Sequence, residues 1–338
     1  MSFSQISLET ISVQSAIEQM TELSPELTPQ LDQMLASTHR NDVPNFWDAD
    51  ISNHYYIPVP DGEIRVIHYR PEFSASIRPL VFVPGWGVSP AGFQDLFEVI
   101  YEKVEFYYIE TREKRSSRMH RWKSNFTMSQ KALDVQIAIL KLGLDSDDFV
   151  LMGPCWGAAV IMQGLMDRCI QAPTIITMDP MHTLWFSKFV LKWIAPILPS
   201  WLFYLLRPII QWLKLRNMHE PVQKQRAKDF IASAELWKWK KAACQVRDFE
   251  LFENLHRIPQ EVIVVNGTND AIHNQEDYPK IAIGLPNSRF LFLKTGEENR
   301  ERLMGLVALL YTQIGAETKI PPIFEPFEKK IPREVEKL

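Results

Sequence analysis

Six short, continuously apolar runs set the fold: PLVFVPG (79–85), VEFYYIE (104–110), FVLMGP (149–154), TIITMDP (174–180), EVIVVNG (261–267) and RFLFLKT (289–295). Most are separated by helical segments such as Met128 to Leu142. Runs of this length alternating with helices predict a mostly parallel sheet covered on both faces, an α/β fold. Two β-rich runs, His54 to Pro60 and Glu63 to Tyr69, flank Asp61-Gly62 and predict an N-terminal β-hairpin. In such sheets the chemistry sits on loops leaving the C-terminal ends of the strands.

The rest of the chain divides around this core. Residues 1–50 read as a helical leader, 51–180 and 261–315 as the core, 181–260 as a helical apolar lid, and 316–338 as an extended tail. Within the lid, the uncharged stretch from Trp193 to Leu206 is too short to span a bilayer as a helix. The N-terminus shows neither a basic start nor an apolar h-region, so no secretory signal is expected. Three scattered cysteines make neither a disulfide framework nor a zinc site, which fits a reduced, cytoplasmic chain. A formal charge of -4 excludes a general nucleic-acid binder.

The run FVLMGPCWGAAV holds Gly153-Pro154-Cys155-Trp156-Gly157 between a strand and a helix. This is the pattern of a nucleophile elbow with cysteine at the nucleophile position. The strained turn demands small neighbours two residues either side, and the helix N-terminus favours a thiolate. The chain here resembles the α/β-hydrolase superfamily, over roughly residues 54–315. VFVPGWG (81–87) looks like the family's oxyanion loop, which implies backbone donors at Trp86 and Trp156. FENLHRIPQEVIVVNGTND (252–270) is similar to the family's run into its acid strand, which implies Asp270 as the triad acid.

Two departures alter the implied chemistry. The family's base follows a glycine after the last strand, but this chain reads RFLFLKTGEENRERL, with Glu297 at the histidine position. Two carboxylates without an imidazole disfavour a thiolate. His182, after the TIITMDP run, is one stand-in base, and His273 is another. Asp179 is an alternative acid or simply ends its strand. The second departure is YYIETREKRSSRMHRWK (107–123), where the family has a glycine-bearing turn and this chain has charge. That stretch reads either as a solvated charged loop or as an anion site beside the pocket. In the second case Arg112, Lys114, Arg115 and Arg118 would contact phosphate, coenzyme A or acidic head groups.

From His182 to His219 the lid has no acidic residue, and its basic residues sit among tryptophans and other bulky apolar groups. Such a segment either covers an apolar pocket or lies in a membrane interface. Both readings imply a small apolar acyl-type ligand, and the second adds an anionic membrane surface and a peripheral location. Two functions remain open on sequence. One is a hydrolase or acyltransferase acting on an apolar ester or thioester through Cys155. The other is a catalytically inactive pseudohydrolase that binds an apolar ligand or a membrane. A metal set of Cys155, Asp270 and Glu297 lacks recognisable ligand spacing, so no metal and no cofactor is expected.

Overall fold

The computed structural model describes residues 12–333, except 24, 145–147, 185, 217–223, 225–227, 229–230 and 269–273. Each of the six apolar runs carries a strand, and the hairpin precedes them. The strands are β1 (Asn53–Val59), β2 (Gly62–Tyr69), β3 (Leu80–Phe82), β4 (Phe106–Ile109), β5 (Arg118–Met119), β6 (Val150–Pro154), β7 (Thr174–Met178), β8 (Val262–Thr268), β9 (Ser288–Thr295) and β10 (Glu328–Lys329). Their order is β1-β2-β4-β3-β6-β7-β8-β9-β10, with β5 paired to β2. From β4 through β9 every neighbouring pair is parallel, while β1, β2, β5 and β10 join antiparallel.

The parallel strands are apolar on both faces because helices cover both. β3, β4, β6 and β7 consist entirely of buried residues. Helices α1 (Val13–Thr21) and α2 (Leu27–Ala36) precede the sheet, and α3 (Gln94–Ile100) follows β3. After β4 come α4 (Met128–Lys141) and α5 (Cys155–Met166), then α6 (Ser200–Leu215) and α7 (Leu236–Val246) within the lid segment. The last two, α8 (Asp277–Gly284) and α9 (Arg300–Thr312), flank β9. One core layer packs α4 and α5 against the sheet, and the other packs α3 and α9 on the opposite face.

The tail does more than run over the surface. Phe324 and Phe327 are buried, and β10 pairs with β9. Arg289 of β9 ties Glu328 at 2.9 Å. The final strand thereby covers an edge that would otherwise leave ladder groups unpaired. Among the described residues, no helix is long and apolar enough to cross a membrane.

Candidate active site

β6 ends at Pro154 in extended geometry (φ -93°), and the next residue, Cys155, sits at φ 52° before the chain enters α5. A non-glycine residue in this left-handed region is strained and is held there only by its surroundings. Those surroundings are the two glycines. A Cβ on Gly153 would come within 2.9 Å of the Gly157 carbonyl carbon, and one on Gly157 would overlap Val83 O. The small residues at both sites are thus required by close approach of backbone to backbone.

The loop after β3 lies over this turn. A Cβ placed on Gly85 would sit 3.6 Å from Cys155 Cβ, and Gly87 adopts φ 67°. Trp86 and Trp156 meet edge-on, with ring centroids 5.4 Å apart. Trp156 lies in the first turn of α5, where backbone N–H groups have no intrahelical acceptor. Met181 N–H donates to Cys155 O at 3.3 Å, drawing the loop after β7 to the same place.

The charged stretch after β4 is where structure and sequence reading part. Arg112 is buried and forms a bidentate pair with Asp134 of α4, at 2.6 and 2.5 Å, while also donating to Asn125 O. Lys114 is buried too, and donates to Gly85 O at 2.7 Å and Val88 O at 2.6 Å. Neither is placed to meet a membrane or a free head group, because each is satisfied inside the protein. Arg115 and Arg118 are exposed; Arg118 pairs with Glu63 at 3.2 Å and stacks over Tyr56. The stretch is therefore largely a buried ionic layer, with only part of it solvated.

Around Lys114 that layer is dense. Glu113 pairs with Lys131 of α4 at 3.2 Å, both side chains fully buried. Lys131 Nζ lies 4.3 Å from the Trp86 ring centroid, within cation–π range. Lys238 of α7 donates to Lys114 O and Ser117 O. Burial pushes Glu113 up, but Lys131 and Lys114 pull it net below the usual carboxylate range. Burial pushes Lys114 down to about 8, against the opposing pull of Glu113, Glu110 and the Cys155 thiol. Lys114 is thus a buried amine electrostatically coupled to the elbow cysteine and hydrogen-bonded to the loop that overlies it. No linear spacing announced this; the only signal was charge where a glycine turn was expected.

Other expected participants fall elsewhere. Glu297 begins a 3-10 turn, Glu297–Asn299, directly after β9, on the catalytic edge of the sheet. Asp270 and His273 lie outside the described residues. His182 has both ring nitrogens on carboxylates, Nδ1 at 3.2 Å from Glu250 and Nε2 at 3.3 Å from Asp277. Burial lowers its pKa, but the hydrogen bonds to Asp277 and Glu250 raise it on balance. Both ring nitrogens are thus engaged by carboxylates, which leaves neither free to serve a substrate. Asp179 is buried at φ 44° and accepts from Arg300 Nε at 3.0 Å. The three cysteines are unbridged, and burial raises the thiol pKa of both Cys169 and Cys244.

A cavity of about 400 Å³ opens beside the loop after β3. Gly87, Val88 and Ser89 form one wall, Arg65, Glu110 and Lys114 another, and Ser233 and Trp239 close it from the lid segment. Lys114 lines this cavity and also bonds Gly85 O in the loop over Cys155. Among the described residues no cluster of histidine, cysteine and carboxylate groups could hold a metal ion.

No family model matches the sequence, and no curated protein matches it. Solved structures do. An esterase from Exiguobacterium antarcticum is 15% identical, with 78% of this chain and 100% of that one covered at a TM-score of 0.62. A thermophilic esterase from Thermogutta terrifontis is 17% identical over 78% of this chain and 99% of that one, at 0.59. The chain has the α/β-hydrolase fold. A third structure of this fold, a bacterial membrane phospholipase A, is 10% identical and covers 85% of this chain and 89% of that one, at 0.56. Within the fold, the turn at Cys155 and the loop after β3 stand next to each other, and the loop after β4 carries a buried ionic layer.

Proposed function

We propose that this α/β-hydrolase-fold protein is a hydrolase or acyltransferase that carries an apolar acyl group on Cys155. The observation that carries the reading is the strained cysteine at φ 52° between β6 and α5, enforced by Gly153 and Gly157. Backbone strain of this kind at the start of a helix supports a functional role for the side chain it presents. The Cys155 thiolate attacks the carbonyl carbon of an ester or thioester, forming a C–S bond. The negative oxygen is received by the backbone N–H groups of Trp86 and Trp156. Collapse breaks the bond to the leaving alcohol or thiol, which takes up a proton. Water or an acceptor hydroxyl then releases the acyl group as acid or new ester.

Lys114 takes over part of what an imidazole does elsewhere. An ammonium near a thiol favours the thiolate, and cysteine depends less on a base than serine does. The amine is held by Gly85 O and Val88 O, so its part is electrostatic, and the leaving group takes its proton from water. Glu297, in the turn after β9, is then an orienting or electrostatic group.

The pseudohydrolase reading draws on one observation, that His182 is committed to Glu250 and Asp277. Intact-mass measurement separates the two. The protein is incubated with p-nitrophenyl esters and acyl thioesters of short and long chain. The enzyme reading expects release of the leaving group and an acyl adduct that the Cys155→Ala variant does not form. Neither adduct nor turnover with any ester would leave the pseudohydrolase standing.

A further inference from the structure

Helix α6 is built against the usual rule for a surface helix. Trp201, Tyr204, Leu205, Pro208, Ile209 and Trp212 recur at the spacing of one helical face, and all six are solvent-exposed. Trp201 and Trp212 are each 62% exposed and Leu205 is 65% exposed. The turns preceding α6 continue the same character: Phe189, Trp193 and Ile197 are exposed as well, at 65%, 57% and 83%. Contiguous apolar surface of this kind marks a contact site in a folded protein.

Charge identifies the partner. Residues 183–218 contain five basic and no acidic residues, in a chain whose overall formal charge is -4. Lys188, Lys192 and Arg216 are exposed around the apolar face. Aromatic and aliphatic groups in a segment whose charges are all basic match an anionic bilayer interface, where rings enter the head-group layer and lysines meet lipid phosphate. A helix of sixteen residues with a proline inside it is suited to lying in that plane, not to crossing it.

The core fixes this face outward. α6 packs on α7, and α7 is tied inward by Lys238 to the loop after β4 and by Trp239 to Trp86. Lys240 of α7 also donates to Pro196 O and Leu198 O, at the turn into α6. We infer that the exposed face of α6, with the turns before it, is a docking surface for an anionic lipid bilayer. α7 then connects the docked surface mechanically to the loop above Cys155.

Co-sedimentation of the full chain with vesicles tests this, independently of any turnover. Vesicles of phosphatidylcholine alone are compared with vesicles containing phosphatidylglycerol, at low and high salt. The expected result is binding to the anionic vesicles, weakened by salt, with a blue shift of tryptophan emission. A Trp201→Ser, Leu205→Gln, Trp212→Ser variant should bind at least tenfold more weakly with an unchanged circular dichroism spectrum, since the three side chains are exposed. A Lys188→Glu, Lys192→Glu variant should lose the preference for anionic lipid. Absence of binding to both vesicle types would overturn the inference. So would binding that the triple variant leaves intact, or a dimer formed without vesicles that the triple variant abolishes.

Discussion

Lys114 shows how far a residue's role depends on what encloses it. In sequence it is one of several cations on a loop; in the fold it is buried against Gly85 O and Val88 O and coupled to Cys155. The expected consequence is a thiol whose reactivity follows the amine. Replacing Lys114 with Met should disfavour the Cys155 thiolate and slow alkylation near neutral pH severalfold. An iodoacetamide rate–pH profile checks this, and a profile that superposes on the unaltered protein would remove Lys114 from the chemistry. Cys169 and Cys244, with raised pKa, should react slowly in both proteins. The same amine has a stability signature. Its folded pKa of about 8 lies below its ordinary 10.5, so the folded chain binds fewer protons between those values. The contribution of this group to stability therefore rises with pH across that window.

At the scale of elements, the segment between β7 and β8 is stapled where it leaves and re-enters the core. Thr183 bridges Glu250, Leu251 N–H donates to His182 O at 2.8 Å, and the His182 ring joins Glu250 to Asp277 of α8. His182 has a raised pKa, so its stabilising charge is fully present below its ordinary 6.5 and is lost as pH rises through the raised value. Amide exchange at 182–184 and 249–252 should accelerate on going from about pH 6 to about pH 9 beyond the intrinsic chemical rate. A His182→Gln variant should show no such extra step, and an identical step in that variant would assign it elsewhere. The strands were readable because a two-sided buried strand must be apolar throughout, and every run from PLVFVPG to RFLFLKT contains one. β5 and β10 were not, since two residues carry no periodic signal. The buried ionic layer was equally hidden. Arg112 pairs with Asp134, Glu113 with Lys131 and Arg65 with Glu110, partners separated widely in sequence and joined only by the packing of α4 and β2 against the loop. The elbow was legible because its demands are local: a strand, two small residues and a helix start within a few positions.

Across the whole molecule, the sheet is closed at its two ends by different means. The hairpin of β1 and β2 forms one margin, and at the other β10 pairs with β9 while Phe324 and Phe327 enter the core layer beside α9. Arg333 donates to Leu285 O at 2.7 Å, and Lys329 donates to Glu22 O, so the tail also fastens α8 and the N-terminal segment. A stretch that reads as charged and proline-bearing is thus part of the folding unit, its two phenylalanines acting as anchors. Phe327→Ala should cost about 3–5 kcal/mol, the usual range for removing a buried phenylalanine. Lys330→Ala, at an exposed position one residue beyond β10, should stay within about 0.5 kcal/mol. Urea unfolding of both variants measures the difference. Equal midpoints would mean the tail packs on a core that is already complete. A large loss confined to Phe327→Ala would place the far edge of the sheet, β9 and its neighbour β8, under the control of the last strand.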